Sequence, residues 1–292
     1  MKRVGIVGLG VMGRAVAGRL LESGVRVKGV DPAASCVEQA KAIGVTIGAS
    51  LAELAATVDW IILFLPGPGE IAACVAGPDG LLSALGKGSV IIDMATSSPA
   101  NTVAMEASAR AAGIQYIDAP VLGRPASVGK WSLPIGGDPG VLEEVRPLLE
   151  LLAANVAYIG PSGSGHKVKL LNNLMFGAIN AMTAEMMAVA ERVGIEPAKL
   201  YDVITASGAA TVSNLFKEAG RRVCEKRYDD PTFTVALLGK DVRLGLEMAE
   251  AAGAPIVVGR SIDYLNKLAC AQGLGAEDTS AMWKCVKNLW KG

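Results

Sequence analysis

The segment VGIVGLGVMGRAV near the start of the chain places three glycines, at positions 8, 10 and 13, just after a run of aliphatic residues. Residues 4–9 read as a buried strand and Met12–Glu22 as a helix, so the GLGVMG motif falls on a strand-to-helix turn. Each glycine has a separate use there. Gly8 permits the tight turn, Gly10 lets the backbone approach a pyrophosphate, and Gly13 lets the helix pack closely on the strand. Leu9, Val11 and Met12 complete the loop, and the head of the helix offers unpaired N–H groups and a partial positive charge to phosphates. A second strand, VRVKGVD, ends at Asp31, 18 residues after Gly13. A carboxylate at that place accepts hydrogen bonds from the ribose hydroxyls of an adenosine and repels a 2′-phosphate. No arginine follows among Pro32, Ala33, Ala34 and Ser35, so the expected cofactor is NAD rather than NADP.

The remainder of the first half continues the strand–helix rhythm. DWIILFLP (59–66), SVIIDMAT (89–96) and IQYIDAPV (114–121) are strand-like runs with helical segments between them. That alternation argues an α/β fold with a Rossmann-like, doubly wound parallel sheet. Beyond the GPSGSG turn at 160–165 the rhythm changes to helices alone, beginning with a long proline-free stretch over 165–194. The expected division is therefore a dinucleotide-binding domain over 1–162 and an all-α substrate and oligomerisation domain over 163–292.

Charge narrows the functional classes. With 28 basic and 28 acidic residues and no run of five like charges, the chain lacks the footprint of a nucleic-acid binder. Five scattered cysteines form no metal pattern and read as reduced, mostly buried thiols of a cytoplasmic protein. The basic-then-apolar start is broken by glycines and followed by Arg14 and Arg19, and no 18-residue apolar stretch occurs elsewhere. Neither a targeting segment nor a membrane span is expected.

A nicotinamide enzyme acting on an alcohol needs an acid/base beside the reacting oxygen. A YxxxK arrangement is absent, because the residues four after the five tyrosines are Pro, Ser, Thr, Thr and Leu. A Cys/His zinc cluster is absent too, so no metal is expected. The only histidine, His166, stands at a helix start without an obvious partner in sequence and reads as incidental. Elimination leaves a lysine or a carboxylate. In GHKVKLLNNLMFGAINAM, Lys169 and Asn173 share a helix face and Asn180 lies two turns further on. Such a polar row in an apolar helix faces a cavity or a partner.

Several ordered motifs together resemble the β-hydroxyacid dehydrogenase family, whose members include 3-hydroxyisobutyrate dehydrogenases and tartronate semialdehyde (2-hydroxy-3-oxopropionate) reductases. They are GLGVMG, LP at 65–66, IDMATSSP (92–99), DAPV (118–121), GSGHKVKLLNN (163–173) and FTVALLGKD (233–241), and they cover nearly the whole chain. The resemblance implies hydride transfer between NAD and a small anionic hydroxyacid or its semialdehyde, in a homodimer or homotetramer. It makes Lys169 the catalytic acid/base, with Asn172 and Asn173 at the substrate. It places Leu65, Pro66, Thr96 and Lys240 with the cofactor, beside the glycine loop and Asp31. The chemistry agrees, because a lysine drawn out of water and set beside a cation gives up its proton more readily.

The chain departs from the family after DAPV. Where Ser-Gly-Gly is usual, Leu122, Gly123 and Arg124 stand, and the segment to Gly137 is about two residues shorter by motif order. Gly123 and Arg124 are the expected substrate contacts, Arg124 as a forked anchor for a carboxylate, sulfonate or phosphate. A Gly-Arg pair near this place also occurs in the family's sulfolactaldehyde reductases, which makes such an activity the alternative reading. Lys130 and Trp131 read as ordinary packing or solvation, the methionines of MTAEMMAVA (182–190) as helix core, and Trp283 and Trp290 as packing of the last helix.

Overall fold

Strands that are apolar at every position need cover on both faces, and the first half of the chain supplies it. In the computed structural model the described residues are 3–192, 194–207, 214–253 and 256–289. The first half forms β1 (Val4–Val7), α1 (Val11–Glu22), β2 (Val27–Val30), α2 (Ala34–Ala42), β3 (Thr46–Ile47), α3 (Leu51–Thr57) and β4 (Trp60–Leu63). It continues with α4 (Pro68–Ala76), β5 (Val90–Asp93), α5 (Pro99–Ala111), β6 (Gln115–Asp118), β7 (Trp131–Gly136), α6 (Pro139–Leu152) and β8 (Ala153–Gly160). One sheet holds all eight strands in the order β3-β2-β1-β4-β5-β6-β7-β8, so the winding direction reverses between β1 and β4.

Alternate side chains of each central strand enter opposite cores. Val4, Ile6, Trp60, Ile62, Val90 and Ile92 pack with Val16 and Leu20 of α1 and the apolar face of α6. Val7, Ile61, Leu63, Ile91 and Tyr116 pack with residues of α3, α4 and α5 on the other side. Burying each such aliphatic side chain stabilises the fold by about 1.5–3 kcal/mol. Helix starts follow local chemistry. Ser50, Ser98 and Asp138 cap α3, α5 and α6 by accepting backbone N–H bonds, and proline opens α5 and α6.

The sheet departs from the expected parallel pattern at its far edge. β6 and β7 pair antiparallel through Asp118 and Gly136, and β8 then runs parallel to β7. These last two strands carry no clear sequence signal. Pro134 lies inside β7, where proline ordinarily argues against a strand, and β8 is a half-exposed edge.

The remainder is helical: α7 (Ser164–Arg192), α8 (Pro197–Ser207), α9 (Asn214–Glu225), α10 (Val235–Ala251), α11 (Val258–Ala271) and α12 (Met282–Leu289). Its cores gather Met187, Val223, Tyr228, Met282 and Cys285 in one cluster and Leu238, Val242, Leu246 and Ile262 in another. The chain separates into two compact units, Met1–Lys169 and Leu170–Gly292. The division falls between one and two turns into α7.

Some packing expectations need correction. Met187 is core, but Met182 and Met186 are exposed on the same face of α7 as Leu171 and Met175, because four- and seven-residue spacings return to one side of a helix. Only Cys285 among the five free cysteines is fully buried. Trp283 stacks on Tyr228 as packing requires, whereas Trp290 lies outside the described residues. No described helix is long and apolar enough to cross a membrane.

Candidate active site

Parallel register lines up the strand ends. Val30, Val7, Leu63, Asp93 and Asp118 are neighbours across β2, β1, β4, β5 and β6. The segments that follow them carry Asp31, the glycine loop, Leu65–Pro66, Thr96 and Val121–Arg124, so five of the predicted stretches leave one edge of the sheet. That carboxyl-terminal edge is where open α/β sheets bind ligands.

The glycine loop is shaped by contact on two sides and by space on the third. Gly8 has φ +93° and gives its N–H to Val30 O, and a Cβ there would overlap the carbonyl of Phe64. A Cβ on Gly13 would overlap the carbonyl of Gly8, which is the close helix–strand approach the motif predicts. At Gly10 nothing lies within 4 Å of the place a Cβ would occupy. Gly10 is also the N-cap of α1, with no side chain capping it, and the first helical bond is Arg14 N–H to Gly10 O. The amides of Val11, Met12 and Gly13 are therefore the unpaired head of this helix. This cradle fits a dinucleotide pyrophosphate: it is open, electropositive and free of side chains at the point of approach.

Leu9 is clamped on both sides, its N–H donating to Asp31 Oδ2 at 2.7 Å and its carbonyl accepting from Arg14 Nη1 at 2.7 Å. Asp31 Oδ1 also accepts from Ala33 N–H at 2.8 Å. Asp31 thus braces the loop as well as standing at the end of β2 where a ribose is expected. Leu65 and Thr96 are half-buried beside their strand ends, and Pro66 is exposed.

The segment after β6 is held residue by residue. Val121 O accepts from Lys169 Nζ at 2.8 Å. Leu122 exchanges both backbone hydrogen bonds with Ser132, at 3.0 and 3.2 Å. A Cβ on Gly123 would overlap the indole of Trp131, and Trp131 Nε1 donates to Arg124 O at 2.7 Å. Trp131 is buried, so the packing expected of it holds, and its polar edge has the further task of fixing the Gly123–Arg124 backbone. Lys130 is exposed and Arg124 half-buried.

Lys169 belongs to the first turns of α7, whose start is fixed from below. Asp118, fully buried, accepts Gly163 N–H at 2.8 Å and His166 N–H at 2.9 Å, capping the helix across space. A carboxylate at a helix head is favourable because of the helix dipole. Cβ atoms on Gly136 or Gly165 would intrude on that carboxylate. His166 is not incidental. Its ring is completely buried among Ala95, Thr102, Asp93 and Asp118, which are 48 to 73 residues away in sequence and so invisible to local pattern. Burial holds the Asp93 carboxyl above the ordinary carboxylate range, opposed by His166, the Tyr116 hydroxyl and the Ala95 amide. Burial and the neighbouring Asp93 raise the Tyr116 phenol well above its usual value.

The helical unit has its own polar chain. Exposed Asn172 donates to Asn173 Oδ1 at 3.1 Å, and buried Asn173 donates to Asp241 Oδ2 at 2.7 Å. Asp241 Oδ1 pairs with Lys240 Nζ at 2.7 Å. Asp241 was not singled out from sequence. A lone acid among the apolar positions of α10 was the available signal, and it links two residues that were. Asn180, expected to extend the polar row, is buried with its Nδ2 donating to Thr279 O at 2.7 Å, a packing role. No cluster that could hold a metal occurs among the described residues.

Comparisons with known proteins agree with this layout. Residues 3–160 match the family model described as the NAD binding domain of 6-phosphogluconate dehydrogenase. Residues 163–286 match that of the NAD-binding of NADP-dependent 3-hydroxyisobutyrate dehydrogenase. The chain is 31% identical to 2-(hydroxymethyl)glutarate dehydrogenase of Eubacterium barkeri, over 98% of this chain and 95% of that one. It is 28% identical to 2-hydroxy-3-oxopropionate reductase of Escherichia coli K12, over 98% and 97%. The crystal structure of 3-hydroxyisobutyrate dehydrogenase from Salmonella typhimurium superposes with a TM-score of 0.90 at 30% identity, covering 97% of this chain and 99% of that one.

Proposed function

This chain belongs to the β-hydroxyacid dehydrogenase family, and from that premise we propose a specific enzyme with Lys169 as its acid/base. It is a nicotinamide-dependent dehydrogenase of small hydroxyacids or their semialdehydes. The observation that carries the assignment of residues is the shared sheet edge, where an open glycine cradle and the segment holding Lys169 Nζ both lie. A bound nicotinamide supplies the hydride acceptor in one direction and the donor in the other. Gly8, Leu9, Gly10, Val11, Met12 and Gly13 hold its pyrophosphate, Asp31 its ribose, and Leu65, Pro66, Thr96 and Lys240 its remaining length. Asp31, with no arginine after it, favours NAD over NADP.

As a free amine Lys169 accepts the hydroxyl proton at the substrate oxygen, and as an ammonium it returns the proton to the carbonyl oxygen. Its bond to Val121 O aims the side chain, which has three rotatable donors and no fixed geometry of its own. Asn172 and Asn173 serve the substrate through the amide pair fixed by Asp241. Gly123 and Arg124 meet the anionic end of the substrate. Exposed Leu171, Met175, Met182 and Met186 on one face of α7 support a homodimer or homotetramer. Five free thiols suit a cytoplasmic setting.

Replacing Lys169 with Ala should cut kcat by about 10²–10⁴-fold while NAD binding, followed by fluorescence titration, changes little. Turnover at the wild-type rate would remove Lys169 from this role. A second reading, reduction of a sulfonate-bearing aldehyde, is favoured by the fixed backbone of Arg124 where the family ordinarily has glycine. Kinetics on 3-sulfolactaldehyde against methylmalonate semialdehyde separate the two, and poor activity on both rejects each.

A further inference from the structure

The buried imidazole of His166 lies three residues before Lys169, so the two are about one turn apart on α7. Its Nε2 is 3.2 Å from Ala95 O. A carbonyl only accepts, so Nε2 carries a hydrogen and donates it. Its Nδ1 is 2.7 Å from Thr102 Oγ1, and that hydroxyl is also 3.1 Å from Ser98 O. The hydroxyl either donates to Nδ1 or accepts from it while donating to Ser98, and the ring is satisfied at both nitrogens in each case. Carboxylate oxygens of Asp93 and Asp118 lie 4.0 and 3.8 Å from the ring. Ala95 immediately precedes Thr96, and Thr102 is in α5, the helix that follows the Thr96 loop.

The ring therefore joins the loop that carries Thr96 to the turn of α7 that carries Lys169. We propose that His166 is a positioning residue for the acid/base, a strut that sets the height and rotation of α7 relative to the β5–α5 loop. This rests on the reading of Lys169 as acid/base. His166 exchanges no proton with substrate; it acts through where it places the lysine. Cofactor affinity depends chiefly on the glycine loop and Asp31, so a displaced α7 turn affects turnover more than binding. Misplacement of a reacting group by about 1 Å costs on the order of 10²-fold in rate.

The test compares His166→Leu, His166→Gln, Thr102→Val and Lys169→Ala by steady-state kinetics, with circular dichroism and thermal melting as folding controls. His166→Leu fills the space but cannot donate to Ala95. Its kcat should fall by roughly tenfold to 100-fold, with KM for NAD and for the hydroxyacid changed by less than about threefold. Glutamine has one donor and one acceptor for Ala95 and Thr102, so His166→Gln should restore kcat to within about threefold of wild type. Thr102→Val should lower kcat by about threefold to tenfold, and it decides the matter if His166→Leu does not fold. A folded His166→Leu with wild-type kcat overturns the proposal, as does a Gln variant no better than Leu, or an unchanged Thr102→Val. Lys169→Ala with full turnover sinks the lysine reading instead, whichever way the His166 variants behave.

Discussion

Two helices begin near the same edge of the sheet, and their heads are finished in opposite ways. At the head of α1 the cap is Gly10, with no side-chain partner and open space before it. At the head of α7 the corresponding first bond runs from Lys167 N–H to Gly163 O, and Asp118 occupies the anion position. Both present the same unpaired amides and partial charge. The first is open, as the proposed pyrophosphate cradle requires, and the second is closed by an anion of the chain itself. One electrostatic device is thus left open or turned into an internal anchor, according to whether a carboxylate of the chain is within reach.

The comparison can be broken most sharply by giving α1 its own anion. Gly10 has φ −61°, which any residue adopts, so Gly10→Asp should fold normally. As an N-cap aspartate exceeds glycine by roughly a few tenths of a kcal/mol, so Tm should hold or rise slightly. Its carboxylate would oppose the pyrophosphate, and NAD binding, measured by titration calorimetry, should weaken by about 100-fold. Unchanged affinity would mean that the phosphates lie elsewhere.

The converse change opens the head of α7. Asp118→Asn leaves one acceptor for two amides and turns an NH2 toward one of them, at a cost of about 2 kcal/mol in chemical denaturation. A variant as stable as wild type would show that Asp118 does not anchor the helix.

A smaller effect concerns the charge beside this anchor. Burial raises the Asp93 carboxyl, so the folded state binds its proton more tightly than the unfolded chain does. The contribution of Asp93 to stability is then complete below the ordinary carboxylate range and fades as pH rises through the raised value, by about 1.4 kcal/mol for each unit of pKa difference. Asparagine does not titrate, so the stability gap between wild type and Asp93→Asn should narrow as pH is raised. A gap that widens would reverse the sign assigned to Asp93.

The same contrast explains what could be read from sequence. The α1 site is written in six consecutive residues, and two of its glycines are required by contacts with neighbouring backbone. Pattern alone marks that turn, and the polar row on α7 together with the motif order marks Lys169 and Asn173 as the proposed acid/base and its companion. The α7 anchor is assembled from Asp93, Thr102, Asp118 and His166, which only the folded sheet brings together. Nothing local distinguishes His166 from a solvent-facing residue, so its burial was missed. Trp131 was legible as packing but not as the donor to Arg124, because that bond depends on the course of the shortened loop. Strands β7 and β8 were hidden for a different reason: a proline within one and a half-exposed edge in the other erase the alternation that identifies strands.

The absence of room around the Asp118 carboxylate also bears on how this protein can change over generations. Gly136 and Gly165, on separate elements, both face that carboxylate, and backbone closes on them as well: a Cβ on Gly165 would also overlap Pro134 O, and one on Gly136 the amide of Ser164. Shortening Asp118 first would strip α7 of its cap before any compensating bulk could arrive. The three positions therefore form a valley that single steps do not cross, and a library randomised one position at a time should find all three intolerant. Changing the acid and one glycine together would still leave the new Cβ against backbone, Pro134 O for Gly165 or the Ser164 amide for Gly136, so a different anchor requires the backbone itself to shift.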